Sequence, residues 1–89
     1  MKHDELDIMA RTVWGEARGE DEIGKIAVAH VIKNRAKHPK WWGKTIMEVC
    51  LKPWQFSCWN KKDPNREKMD AVTTNDPTFK LCLSVCKNV

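Results

Sequence analysis

A small, mainly α-helical domain is the fold class that this sequence predicts, on three observations. Apolar residues recur at three- and four-residue steps along most of the chain, the period of a helix with one buried face. Capping residues and X-Pro pairs fall between those runs, where helices start and stop. With 89 residues the chain is expected to make one domain over residues 1–89, burying roughly 60–65% of its unfolded surface. A composition of 42% hydrophobic and 31% charged residues excludes a disordered chain. No internal repeat, low-complexity segment or linker interrupts it.

The first helix is expected over residues 4–17, where Leu6, Met9, Ala10, Val13 and Ala17 share a face. Asp4 or Asp7 favours its N-terminus. The second is expected over residues 21–37, with Asp21 as N-cap. Ile23, Ile26, Ala27, Val28, Ala29, Val31 and Ile32 leave little polar surface in its middle, which predicts a central, buried helix. His30 falls within that run and is expected to be a hydrogen-bonded core residue. Val13, Val28 and Ile32 are expected to be buried where the two helices pack.

His38-Pro39 ends the second helix, because the residue before proline is pushed out of the α region. Thr45-Ile46-Met47-Glu48 reads as a capping box that starts a short third helix, which Pro53 closes. Trp54 to Ser57 is expected to be extended, with Phe56 inward and Gln55 free to face a cleft. Cys58 to Asn65 reads as a loop and residues 65–73 as a weak short helix. Asp76-Pro77 is a cap followed by proline at the first helical position. The last helix then carries Phe79, Cys82, Leu83 and Cys86 on one stripe.

Charge and aromatic content narrow the partners. The net charge of +4 favours an anionic partner: nucleic acid, acidic lipid or an anionic polymer. Between Lys33 and Lys44 lie five Lys/Arg and no acid, enclosing Pro39-Lys40-Trp41-Trp42-Gly43. Basic residues interleaved with aromatics suit nucleic acid, and equally an anionic glycan with stackable sugar faces. The five Trp, with no Tyr, ask for more than packing. No apolar run is long enough for a membrane span. No apolar segment follows Met1-Lys2-His3-Asp4-Glu5, so no signal peptide is expected and synthesis is placed in the cytoplasm. Cys50, Cys58, Cys82 and Cys86 match no common zinc spacing, so no metal and no cofactor are expected, and the four read as buried reduced thiols. Nothing fixes an oligomeric state.

Candidate chemistry concentrates in Trp14-Gly15-Glu16-Ala17-Arg18-Gly19-Glu20. If the helix ran through it, Glu16 and Glu20 would be neighbours on one face, each making the other harder to ionise. Gly15 and Gly19 weaken a helix and let another backbone or a ligand come close. Two readings follow: a carboxylate poised for acid–base chemistry, or a solvated helix end with a glycine stop.

Three segments together resemble a known family. They are Ala10 to Glu20 (ARTVWGEARGE), Gly24 to Arg35 (GKIAVAHVIKNR) and Gln55-Phe56-Ser57. In order and spacing, from about residue 5 to about residue 86, they resemble the SleB/CwlJ-like cell-wall hydrolases, which include spore-cortex-lytic enzymes and phage endolysins. The resemblance implies a small lysozyme-like (α+β) fold and a peptidoglycan substrate, with no nucleic acid partner. It implies Glu16 as the catalytic acid, with Glu20 tuning it. Trp14 would then supply an apolar wall, Arg18, Gln55 and Phe56 would line the substrate site, and Trp41 or Trp42 would stack on a sugar ring. Helical spacing does not place Glu20 across the sugar from Glu16, so a single-carboxylate reaction of the lytic transglycosylase kind is favoured over hydrolysis by water. Family domains commonly continue past the last helix seen here, so the domain is expected to be shortened at its C-terminus. The likeness to endolysins implies action on the cell wall after release by a holin or lysis system. The rival expectation is a non-catalytic, basic, Trp-rich module that holds cell wall or nucleic acid without cutting it.

Overall fold

Helix α1 (Glu5–Ala17) is the axis on which the molecule is assembled. The computed structural model describes residues 4–53 and 55–89. Met1 to His3, and Trp54 with its expected place at the start of an extended stretch, lie outside the described residues. After α1 come α2 (Glu22–Lys37), α3 (Ile46–Leu51), a 3-10 turn (Ser57–Trp59), α4 (Pro64–Ala71) and α5 (Pro77–Asn88). The mainly α class is as the apolar periodicity predicts. Among the described residues the only β feature is one antiparallel bridge, Lys40 to Gly43.

Local chemistry accounts for the helix starts. Carboxylates of Asp4, Asp21, Asp63 and Asp76 each accept a backbone N–H in the first turn of the helix they precede, and Thr45 Oγ1 does so for α3. The capping box at Thr45 is half formed: Glu48 Oε1 accepts from Lys44 N at 2.8 Å, one residue outside the expected partner. Asp63-Pro64 repeats the Asp76-Pro77 signal, and it starts α4 one residue before the expected helix.

The central buried helix is α1, not α2. Helix α1 buries Ile8, Met9, Ala10, Val13, Trp14 and Ala17, together with Arg11 and Thr12, and it meets all four other helices and the 3-10 turn. Helix α2 buries only Lys25, Ala29 and Ile32. Ile23 is 76% exposed, Val31 and His30 are exposed, and Val28 is half-buried. The reason is supply: a helix apolar nearly all round is buried only if neighbours surround it, and so short a chain has elements enough to surround one. His30 thus faces solvent rather than the core.

Two buried cations close helix ends across the core. Arg11 Nη1 donates to Met69 O at 2.6 Å and to Val72 O at 2.8 Å, while its Nε donates to Asp7 Oδ1 at 2.7 Å. It thereby supplies donors to carbonyls at the end of α4, where the helix itself provides none. Lys25 does the same for α1, donating from Nζ to Arg18 O and Glu20 O. A cation also complements the negative end of the helix dipole. Cys50, Cys58, Cys82 and Cys86 are free and buried in the same core as Phe56, Met69 and Phe79. Burial pushes the Cys50 and Cys86 thiols up to about 12 and Cys82 to about 11, so they stay protonated at neutral pH. Among the described residues no helix is long and apolar enough to cross a membrane, and no cluster of His, Cys, Asp or Glu is arranged to hold a metal ion.

Candidate active site

The last turn of α1 brings a carboxylate out of the core. Ala17 is buried and Glu16 beside it is exposed, because the buried face of α1 leaves Glu16 on the solvent side. Beneath it, Gly15 is required by packing: a Cβ there would lie 2.9 Å from Cys58 Cβ, 3.0 Å from Cys58 Sγ and 3.1 Å from Met69 Sδ. The close approach that Gly15 permits is that of the 3-10 turn and α4, not of a ligand. Gly19, by contrast, borders open space: a Cβ there would meet nothing within 4 Å.

Cys58 therefore sits under Glu16. Its thiol is pushed up to about 12, first by burial, then by the Glu16 carboxylate, to which it donates a hydrogen bond. Asp63 lies close enough to add to the same effect. Trp59 next to it donates from Nε1 to Thr12 Oγ1 at 2.8 Å, which ties the 3-10 turn to α1. The floor below Glu16 is thus built by the turn after Phe56 and by the start of α4.

Trp14 is buried, and its ring is covered by the Arg18 guanidinium, whose Cζ lies 4.5 Å from the ring centroid. Arg18 Nη2 also donates to Asn65 Oδ1 at 2.6 Å, so Arg18 bridges α1 and α4. Trp14 Nε1 is buried without a hydrogen-bond partner among the described residues. Glu20 is exposed but lies outside α1, which ends at Ala17. Its N–H donates to Ala17 O at 3.0 Å, and its side chain turns onto α2, so that a Cβ at Gly24 would be 2.7 Å from Glu20 Cβ. The two glutamates are therefore not i,i+4 partners on one helix face. They flank a turn held by the Lys25 ammonium, which donates to the Arg18 and Glu20 carbonyls.

Gln55 and the tryptophan pair belong to a second cluster, organised by Arg35. Arg35 Nη1 donates to Gln55 Oε1, and Gln55 Nε2 donates to Val49 O at 3.0 Å. Gln55 is half-buried with both ends of its amide engaged, not free to face a cleft. The Arg35 guanidinium also lies 5.6 Å from the Trp42 ring and 5.9 Å from the Phe56 ring, and Phe56 is buried as expected. Trp42 Nε1 returns a hydrogen bond to Arg35 O at 2.7 Å. Trp41 is 64% exposed and meets Trp42 edge-on, with centroids 5.6 Å apart.

Sequence reasoning missed Cys58, Asp63, Asn65, Lys25 and Arg35. Lys25 and Arg35 sit in runs of apolar and basic residues that read as core and as solvated charge, and only the turn of the chain shows which carbonyls and rings they meet. Asp63 was legible, since Asp63-Pro64 is the same start signal as Asp76-Pro77.

Comparison with known proteins bears on these residues. The sequence pattern of the cell wall hydrolase family matches residues 19–86. Glu20, Trp41, Trp42, Gln55 and Phe56 fall within that match, while Trp14, Glu16 and Arg18 precede it. A spore cortex-lytic enzyme from Halalkalibacterium halodurans is 32% identical over 82 residues, covering 83% of this chain and 24% of that protein. A spore cortex-lytic enzyme from Bacillus cereus is 30% identical over 82 residues, covering 83% of this chain and 31% of that protein. The chain thus spans about a quarter to a third of the length of the curated relatives it matches. No solved structure matches it.

Proposed function

The chain belongs to the cell wall hydrolase family, and from that premise we propose that it acts as one domain that cleaves the β-1,4 aminosugar backbone of peptidoglycan, with Glu16 as the general acid. One observation carries the assignment of Glu16: it is an exposed carboxylate on the last turn of the helix that the core is built around. A rigid, buried scaffold under an exposed acid is what positioned proton transfer needs. The lysozyme-like arrangement is part of the same proposal, supported by the family and by the mainly α architecture.

Glu16 protonates the glycosidic oxygen as the C1–O bond breaks, then takes the proton from the sugar's own 6-hydroxyl as that oxygen bonds C1. The product is a 1,6-anhydro sugar, and no water is consumed. Glu20, turned onto α2, supports this single-carboxylate route by not sharing a helix face with Glu16. Arg18 and Trp14 hold the wall beside the acid, and of the other residues expected to meet substrate, Trp41 is the one left exposed to a glycan further along the surface, since Gln55 is engaged by Arg35 and Val49, Phe56 is buried and the Trp42 ring is covered by cations. Hydrolysis by water is the second reading. What favours it is Asp63, a further carboxylate close to the Cys58 thiol that Glu16 also meets. Glycan strands of the wall are the partner in either case, and the cell wall is the place of action.

Release of soluble fragments from purified peptidoglycan tests the proposal. A chain that sediments with the walls and releases nothing is a binding module instead. Sedimentation with the walls is also expected to weaken between about 0.1 M and about 1 M salt, because screening shortens from about 10 Å to about 3 Å. The motive is the acid-free run from Lys33 to Lys44, of which Lys37, Lys40 and Lys44 are exposed. Binding that is unchanged across that range would show that charge is not what brings the chain to the wall.

A further inference from the structure

We propose that the turn from Pro39 to Lys44 and the groove beside it form an accessory docking surface for a carboxylate-bearing glycan, separate from the Glu16 site. The proposal rests on the cell-wall reading above for the identity of the polymer, and on geometry for the surface itself.

Trp41 and Trp42 have different roles. Trp42 is half-buried and fixed: its Nε1 donates to Arg35 O at 2.7 Å, and the Arg35 guanidinium and Lys40 ammonium lie 5.6 Å and 5.5 Å from its ring. Its ring is already engaged by cations of the chain. Trp41 stands edge-on against this support, at 69°, and is 64% exposed. An indole that meets its neighbour edge-on and is bare over most of its surface offers a ring face for stacking. The turn that presents it is fixed by Gly43, whose φ of 120° only glycine adopts readily, and a Cβ there would meet Glu48 Cβ at 2.7 Å.

Next to Trp42 runs a groove of about 550 Å³, lined also by Gly43, Met47, Glu48, Leu51 and Lys52. Its apolar side includes Leu51, which is 37% exposed. Lys40, Lys44 and Lys52 are exposed around it, and the one acid in its lining, Glu48, accepts a hydrogen bond from Lys44 N. Apolar floor, bare indole and three ammonium groups complement a polymer whose units offer a C–H ring face and carry carboxylates. A pyranose chain with acidic substituents has both.

The surface cannot act on the bond that Glu16 would break. Met47 N donates to Glu5 Oε2 at 3.4 Å, which sets the groove at the N-terminal end of α1. Glu16 is on the last turn of that helix, about 16 Å away at 1.5 Å per residue. Contacts here add affinity for an insoluble, repetitive substrate without being made at the reacting bond.

The test is sedimentation of the full chain with purified peptidoglycan on ice, in a Glu16→Gln background so that digestion does not confound binding. Trp41→Ala is expected to weaken binding about fivefold or more, on the scale of a lost ring-stacking contact. Trp41→Phe is expected to retain most of it, with circular dichroism unchanged in both. Wall binding by Trp41→Ala equal to its parent overturns the proposal. So does Trp41-dependent binding to anionic phospholipid vesicles or to DNA in the absence of wall binding. Both readouts are of binding alone, so they stand whether or not Glu16 proves to be the acid.

Discussion

Glu16→Gln is expected to lower fragment release from peptidoglycan by about 10²- to 10⁴-fold, the range general acid catalysis supplies. Gln keeps the size and hydrogen-bonding shape of Glu and removes the transferable proton. The exposed position of Glu16 means that the change costs the fold little, so circular dichroism and wall binding are expected to persist. Cys58 loses its acceptor carboxylate but can donate to the amide oxygen in its place. Glu20→Gln is expected to cost less, because Glu20 lies outside α1 with its stem packed over Gly24. An inactive Glu20→Gln beside an active Glu16→Gln would reverse the two roles. Full activity in both would remove the enzymatic reading of this stretch.

Lys25→Met is expected to have the largest effect on stability among single changes near the site. Met retains the apolar stem of Lys and removes the ammonium that serves Arg18 O and Glu20 O. Recovered desolvation of the ammonium, which is buried, offsets part of the loss, but the Arg18 and Glu20 carbonyls just past the end of α1 lose the donor that ties them to α2. Hydrogen bonds to charged groups are worth about 1.5–3 kcal/mol. At about 4–8 °C per kcal/mol for a domain of this size, a fall in Tm of roughly 10 °C follows. Because the same ammonium holds the turn between Glu16 and Glu20, fragment release is expected to drop even at temperatures where the variant is folded. A Tm equal to wild type would mean that this cap does not hold the turn.

Periodicity and caps were the legible part of this fold. Asp4, Asp21, Thr45 and Asp76 are read directly from the chain because each acts within a few residues of itself. Which of two apolar helices is central was not legible, since α2 carries the longer apolar run in its middle, from Ile26 to Ile32, and is nonetheless the more exposed. That outcome depends on how many neighbours reach each face, a property of the assembled molecule. The site was legible in its chemistry and not in its geometry. The sequence shows Glu16 and Glu20 four apart, but the helix stops at Ala17 and a buried lysine from the next helix bends the chain between them. Gln55 reads as open to a cleft because nothing nearby in sequence engages an amide, whereas Arg35, twenty residues earlier, does. The tryptophan pair reads as two equal stacking residues until the structure shows one of them fixed by Arg35 and the other left bare.

Mass spectrometry of the fragments that wild-type protein releases from purified peptidoglycan tests the central claim most directly. Single-carboxylate cleavage by Glu16 predicts soluble muropeptides ending in 1,6-anhydro sugars, each lighter by one water than the corresponding hydrolytic product. Fragments with ordinary reducing ends would contradict the single-carboxylate route and favour water activated by a second carboxylate such as Asp63. The absence of any released fragment, with the protein folded and bound to the walls, would contradict glycan cleavage altogether.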